Sequence, residues 1–178
     1  MAATEKGTFL MFAYGSNMLT NRIRERCPSA SPLGVAELHG YSLHWHKRSQ
    51  DGSGKCNVME DANENAVVFG VLHQIAADEE PALDRAEGLG HGYEKKDVEV
   101  VADGGKRRAS VYCATDVDAL LKPYTWYKVL VVAGAEEHGL PPSYTSRLKS
   151  TEAIQDQDLR RHSENMELVT GSGEESGS

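Results

Sequence analysis

The chain has 178 residues, 39% hydrophobic and 26% charged, with a formal net charge of −8. That length and composition predict one domain with a single core. The acidic balance argues against non-specific nucleic-acid binding, which needs clustered Lys and Arg, and no apolar run reaches the roughly 20 residues of a membrane-crossing helix.

The N-terminal stretch MAATEKGTFLMF lacks a basic segment followed by an apolar run and a small-residue cleavage site, so no signal peptide is predicted. Cys27, Cys56 and Cys113 are odd in number, widely spaced and without a CxxC pattern. They predict neither a disulfide framework nor a structural zinc site, and a cytoplasmic, reducing compartment is expected.

Thr8–Ala13 (TFLMFA) reads as a buried strand. Gly15-Ser16-Asn17 closes it, with Asn17 as a good N-cap for a helix over Leu19–Arg26, which Cys27-Pro28 stops. Leu33–His46 reads as strand, bend, strand, and Cys56–Met59 as a further short strand. Ala66–Ile75 is a strong strand, and Gly70 inside it predicts a sharp bend or a close backbone approach. Asp78–Glu87 predicts a helix with Asp78 as N-cap, Pro81 in the first turn and Leu83 on the apolar face.

Tyr93–Val101 and Ala109–Ala114 pair as a hairpin across Asp103-Gly104-Gly105. Tyr124–Ala135 is open between helix and strand, and Pro141–Lys149 reads as a final short helix. Many strands, few helices and strand glycines predict an α+β fold on a curled or closed antiparallel sheet. The folded domain is expected over 7–152. Segment 155–178 carries six acids against Arg160 and Arg161 and ends in TGSGEESGS. It reads as an acidic, Gly/Ser-rich tail, disordered at its end.

Tyr14-Gly15-Ser16-Asn17 delivers a glycine turn from a strand to a helix start. Backbone N–H groups at such a turn point outward unpaired and suit a carboxylate or a developing oxyanion. The alternative is a capped turn without a ligand. Ser16 lacks a GxSxG elbow and reads as a hydrogen-bond donor, not a nucleophile. Glu87 ends its helix against the macrodipole, where a carboxylate gains nothing structurally. The glycines after it allow close approach of a ligand, so Glu87 is a candidate proton shuttle; a solvated surface Glu is the alternative. Asp84, one turn earlier, is the weaker candidate.

His44-Trp45-His46 has the H-x-H form of some metal sites, but two ligands do not make a centre, and a polar strand face is the plainer reading. Lys95-Lys96 and Arg107-Arg108 read as solvated hairpin charges. Tyr112, Trp126 and Tyr127 read as core or pocket wall.

FAYGSNM, then LDRAEG and GHGYE, then SVYCAT, Tyr127 before Lys128, and GAEEHGLPPSY resemble the γ-glutamylcyclotransferase family in that order. The resemblance spans roughly Phe9 to Glu152. It implies a small mixed or antiparallel β-barrel flanked by short helices. It also implies release of 5-oxoproline and a free amino acid from γ-glutamyl amino acids. Glu87 matches the family's acid/base, and Tyr14, Gly15, Ser16 and Asn17 match its substrate loop. Tyr93 and Tyr127 are expected in the substrate pocket. Neither a metal nor an organic cofactor is implied. The expected partner is a small γ-glutamyl substrate, with no nucleic acid and no membrane, and a homodimer is compatible with this reading. Alternatives are a cyclotransferase acting on γ-glutamylamines or another γ-glutamyl leaving group, and a barrel that binds small ligands without turnover.

Overall fold

The computed structural model describes residues 7–170. Among them seven strands follow in chain order: β1 (Thr8–Ala13), β2 (Ser31–His39), β3 (Tyr41–Arg48), β4 (Gly54–Glu60), β5 (Val67–Ala76), β6 (Tyr93–Ala102) and β7 (Gly105–Ala114). The helices are α1 (Thr20–Arg26), α2 (Glu80–Glu87), α3 (Thr125–Glu137), α4 (Pro142–Lys149) and α5 (Leu159–Thr170).

β1, β5, β2, β6 and β7 close into a barrel in that order. Its pairs are antiparallel except the closing one, where β1 runs parallel to β7 at Met11 and Ser110. The expected α+β barrel is present, and it is mixed. Closure removes the exposed edges that an open sheet of this size would leave. β3 and β4 form a separate two-stranded ribbon whose register shifts between His44 and Lys47. Met11, Phe12, Val68, Val71, Leu72, Ile75, Val100 and Val111 are buried in the core.

Two glycines bring other elements against the exit of β1. A Cβ on Gly70 would lie 2.3 Å from the Ala13 carbonyl oxygen and 2.7 Å from the Phe12 ring, which is the close approach expected of it. A Cβ on Gly134, in α3, would lie 2.6 Å from the Leu19 backbone nitrogen. The segment between Phe12 and Leu19 is therefore clamped from two sides by contacts no larger residue allows.

The structure departs from the sequence reading in several places. Asn17 is not an N-cap. A 3₁₀ turn covers Ser16–Met18, α1 starts at Thr20 after Leu19, and no side chain caps it. Asp78 likewise falls within a 3₁₀ turn, Ala77–Glu79, and α2 starts at Glu80 with Pro81 in its first turn and Leu83 buried. The open segment is helical. Trp126, Tyr127, Leu130, Val131, Gly134 and Ala135 are buried, a breadth of apolar face that suits a helix covered on several sides.

The segment after 152 is also built into the fold. Asp156 is buried, accepts from Trp126 Nε1 at 2.8 Å and pairs with Arg161 at 2.6 Å. Asn21 Nδ2 donates to the Leu168 carbonyl at 3.1 Å. These polar anchors tie α5 to α1 and α3. The expected disordered end, 171–178, lies outside the described residues.

Candidate active site

Five elements deliver one side of the molecule to a common point. β1 runs out into Tyr14-Gly15-Ser16-Asn17, and α2 ends on Glu87 as Gly88 takes the left-handed conformation (φ 73°) that terminates a helix. Tyr93 opens β6, Cys56 lies in β4, and Tyr127 is in the first turn of α3. All seven sequence-predicted residues, Tyr14, Gly15, Ser16, Asn17, Glu87, Tyr93 and Tyr127, line one cavity of about 40 Å³.

Glu87 is held by two neighbours. Its Oε1 accepts from Asn17 Nδ2 at 2.6 Å and from Arg26 Nη1 at 3.0 Å. Arg26 Nη1 also donates to Asn17 Oδ1 at 2.6 Å. The three side chains form a closed ring of contacts, which fixes the Asn17 amide and the Glu87 rotamer together. Among the described residues nothing donates to Glu87 Oε2. The side chains of Arg26 and Glu87 are only 21% and 14% exposed, so their pairing is less screened than that of a surface pair. Asn17 thus serves Glu87 instead of a helix end.

Asp84, the weaker candidate, is committed elsewhere. It accepts from the Tyr112 hydroxyl at 2.6 Å and pairs with Lys95, which also reaches Glu80 at 2.7 Å. Lys95 is therefore not a solvated hairpin charge: a strand residue at this register meets the acidic face of α2.

Tyrosines form the walls. Tyr93 donates to the Cys56 carbonyl at 3.0 Å, and the Cys56 N–H donates to the Tyr127 hydroxyl at 3.0 Å. Tyr14 donates to the Tyr112 carbonyl. Burial pushes the Tyr14, Tyr93 and Tyr127 hydroxyls well above the usual phenol range, so they stay protonated. Burial also pushes the Cys56 thiol up to about 12; it is no thiolate nucleophile. Among the described residues no base hydrogen-bonds to Ser16 Oγ, and an unactivated hydroxyl is a poor nucleophile.

Gly15 has φ −119°, so a left-handed backbone is not what requires glycine. Space is. A Cβ there would lie 3.0 Å from the Tyr127 hydroxyl and 3.1 Å from Cys56 Cβ. Behind the turn, buried His73 donates from Nε2 to the Asn17 carbonyl at 3.0 Å. Burial lowers its imidazole from 6.5 to about 4. His44 and His46 stack on one side of β3, with ring centroids 4.7 Å apart. Among the described residues no group of three His, Cys, Asp or Glu is placed to hold a metal.

A vestibule of about 220 Å³ opens from the same site and shares Ser16, Glu87, Tyr93 and Tyr127 with the inner cavity. It adds Arg22, Arg26, Lys47, Lys55 and Asp51. None of these was legible as a site residue. Their signal in the sequence is only a scatter of basic residues around a DGSG turn and along a helix, the ordinary look of solvated charge.

The pattern of the AIG2-like family matches residues 67–148. The γ-glutamylcyclotransferase of Homo sapiens is 34% identical over 155 residues, covering 83% of this chain and 81% of that one. The protein of the same description from Mus musculus is 32% identical over 164 residues, with coverages of 85% and 82%. A solved structure described as a γ-glutamyl cyclotransferase matches with a TM-score of 0.81 at 28% identity, over 93% of this chain and 99% of that one. The family pattern spans α2, β6 and α3 of the site, and with a relative 34% identical over 83% of its length the chain belongs to the γ-glutamylcyclotransferase family.

Proposed function

We propose that the protein is an enzyme that cyclises the γ-glutamyl group of γ-glutamyl amino acids to 5-oxoproline and releases the free amino acid. The observation that carries this reading is Glu87, fixed by Asn17 and Arg26 at the edge of the YGSN turn in a cavity without an activated nucleophile.

The substrate's own α-amine supplies the nucleophile. Its nitrogen bonds to the γ-carbonyl carbon, and the bond from that carbon to the leaving nitrogen breaks. Held in place, this is an intramolecular attack favoured by proximity. The α-ammonium loses two protons on the way to the lactam N–H, and the leaving amide nitrogen gains two to become an ammonium. Glu87 Oε2 carries them across one at a time, as base and then as acid. The first-turn N–H groups of Ser16 and Asn17 have no partner inside the turn and stabilise the tetrahedral oxyanion. Tyr93 and Tyr127 wall the γ-glutamyl group as neutral hydroxyls. No step calls for a metal or an organic cofactor.

The compartment we propose is the cytoplasm: all three thiols are free and buried, as suits a reducing environment. No helix among the described residues is long and apolar enough to cross a membrane.

The test is incubation of the purified protein with γ-glutamyl-alanine, γ-glutamyl-ε-lysine and glutathione. Release of 5-oxoproline from γ-glutamyl-alanine is expected. Release only from another of the three reassigns the leaving group, and release from none overturns the reading.

A further inference from the structure

The vestibule is basic in a chain of net charge −8. Arg22, Arg26, Lys47 and Lys55 line it against Asp51 and Glu87. Three of the four cations have assigned work. Arg26 holds Glu87 and Asn17. Lys55 pairs with Asp51 at 2.9 Å and lies over the Trp126 and Tyr127 rings, 4.5 and 4.7 Å from their centroids. Arg22 donates from Nη1 to Asn165 at 3.1 Å; among the described residues it has no carboxylate within salt-bridge distance, and its buried Nε has no partner.

Lys47 differs. Its ammonium lies 4.5 Å from the centroid of Tyr93, and among the described residues it has no carboxylate within salt-bridge distance. Lys47 is the first residue paired again, with Lys55, after the β3–β4 register shift that follows His44; such a bulge re-aims the side chains beside it. Gly92 leaves room for the head group, since a Cβ there would lie 3.3 Å from Lys47 Nζ. Burial costs this ammonium some of its proton affinity while Glu87 and Asp51 restore part of it. A half-buried cation without a bonded anion, at the mouth of a reaction cavity, is placed to receive one.

We infer that the vestibule is the subsite for the carboxylate of the leaving amino acid, and that Lys47 is the residue that selects for it. The inference rests on the cyclotransferase reading and narrows it. The amide nitrogen that leaves must face Glu87, which lines both cavities, so the leaving portion projects into the basic side. A leaving amine without a carboxylate forgoes that interaction, and an amino acid gains it.

The experiment compares γ-glutamyl-alanine with γ-glutamyl-alaninamide, which replaces the leaving carboxylate by a neutral group of nearly the same shape. Wild type is expected to favour the acid by about 10-fold or more in kcat/KM, the scale of one charge-assisted hydrogen bond. Lys47→Met brings the ratio towards one, mainly through the KM of the acid, and Lys47→Arg restores it. A wild type without preference overturns the inference. So does a preference that survives Lys47→Met, including the case in which both substrates weaken together through a damaged fold. If wild type releases no 5-oxoproline from either compound, the reading of γ-glutamyl amino acids as substrates fails. Calorimetric binding of the two compounds to wild type and Lys47→Met then decides the subsite separately: tighter binding of the acid, lost in the variant, supports it, and equal binding overturns it.

Discussion

Asn17 and Glu87 are 70 residues apart in the chain and meet at 2.6 Å, Nδ2 to Oε1. The contact joins the end of the first barrel strand to the end of the crossover helix. It leaves one oxygen of the carboxylate without a protein donor among the described residues. Glu87→Gln keeps the shape of that side chain and removes its ability to carry a proton. Turnover is expected to fall at least ~100-fold, the lower end of what general acid–base catalysis contributes, while binding of γ-glutamyl-alanine is largely kept. Steady-state 5-oxoproline release and calorimetric binding check both halves; near wild-type turnover removes Glu87 from the chemistry.

Arg26 acts through its neighbours. Arg26→Met takes a charge-assisted bond from Glu87 and a donor from Asn17, each worth about 1.5–3 kcal/mol in such pairs. The expected result is a kcat lower by roughly 10-fold or more with a smaller change in KM, because the carboxylate is no longer fixed. An unchanged kcat excludes a positioning role.

Gly15→Ala tests the crowding at the turn. The new Cβ meets the Tyr127 hydroxyl at 3.0 Å, so the tyrosine or the turn must shift, and kcat/KM is expected to fall. Tyr127→Phe alone leaves the buried Cys56 N–H without its acceptor, at about 1–3 kcal/mol. The double variant makes room where the oxygen stood. Its loss of stability, read by urea denaturation, should be smaller than the sum of the single losses. Strict additivity counts against the contact. Ser16→Ala, by contrast, should remain measurably active, since among the described residues no base activates that hydroxyl.

His73 gives stability a dependence on pH. The folded protein holds its imidazole neutral down to about 4 through burial, against an ordinary 6.5. Between those values the unfolded chain binds more protons, so stability is fully present above about 6.5 and drains as pH falls towards 4. The shift corresponds to about 3 kcal/mol. Urea unfolding at pH 7.5 and at pH 4 should show a loss for wild type that is markedly reduced in His73→Gln. Equal losses place the pH dependence in other groups.

Metal removal is the simplest check on His44 and His46. Their stacked rings lack a third ligand among the described residues. Activity is expected to survive exhaustive chelation. Loss that zinc or magnesium restores implicates a site at these histidines.

Many of the local elements, and Tyr14-Gly15-Ser16-Asn17 and Glu87 as candidates for a site, were legible in the chain alone. Apolar runs marked β1 and β5, and alternation beside the Asp103-Gly104-Gly105 turn marked the β6–β7 hairpin. The YGSN turn and the Glu-Gly helix end were legible because each is a local device whose chemistry lies within a few residues. Gly70 was legible for the same reason: a glycine inside an apolar strand declares a close approach even before its neighbour is known. What makes Asn17 a partner of Glu87 and not a helix cap was decided only by closure of the barrel, which brings β1 and α2 together. The helical state of Thr125–Glu137 was likewise settled by burial on several sides, since aromatic and β-branched residues fit a strand locally. Arg26, Lys47 and Lys55 look like surface charges in the chain, because a lone cation carries no periodicity or spacing. Tertiary structure removes water around them and sets them beside a carboxylate or an aromatic face, and their meaning lies in those long-range neighbours.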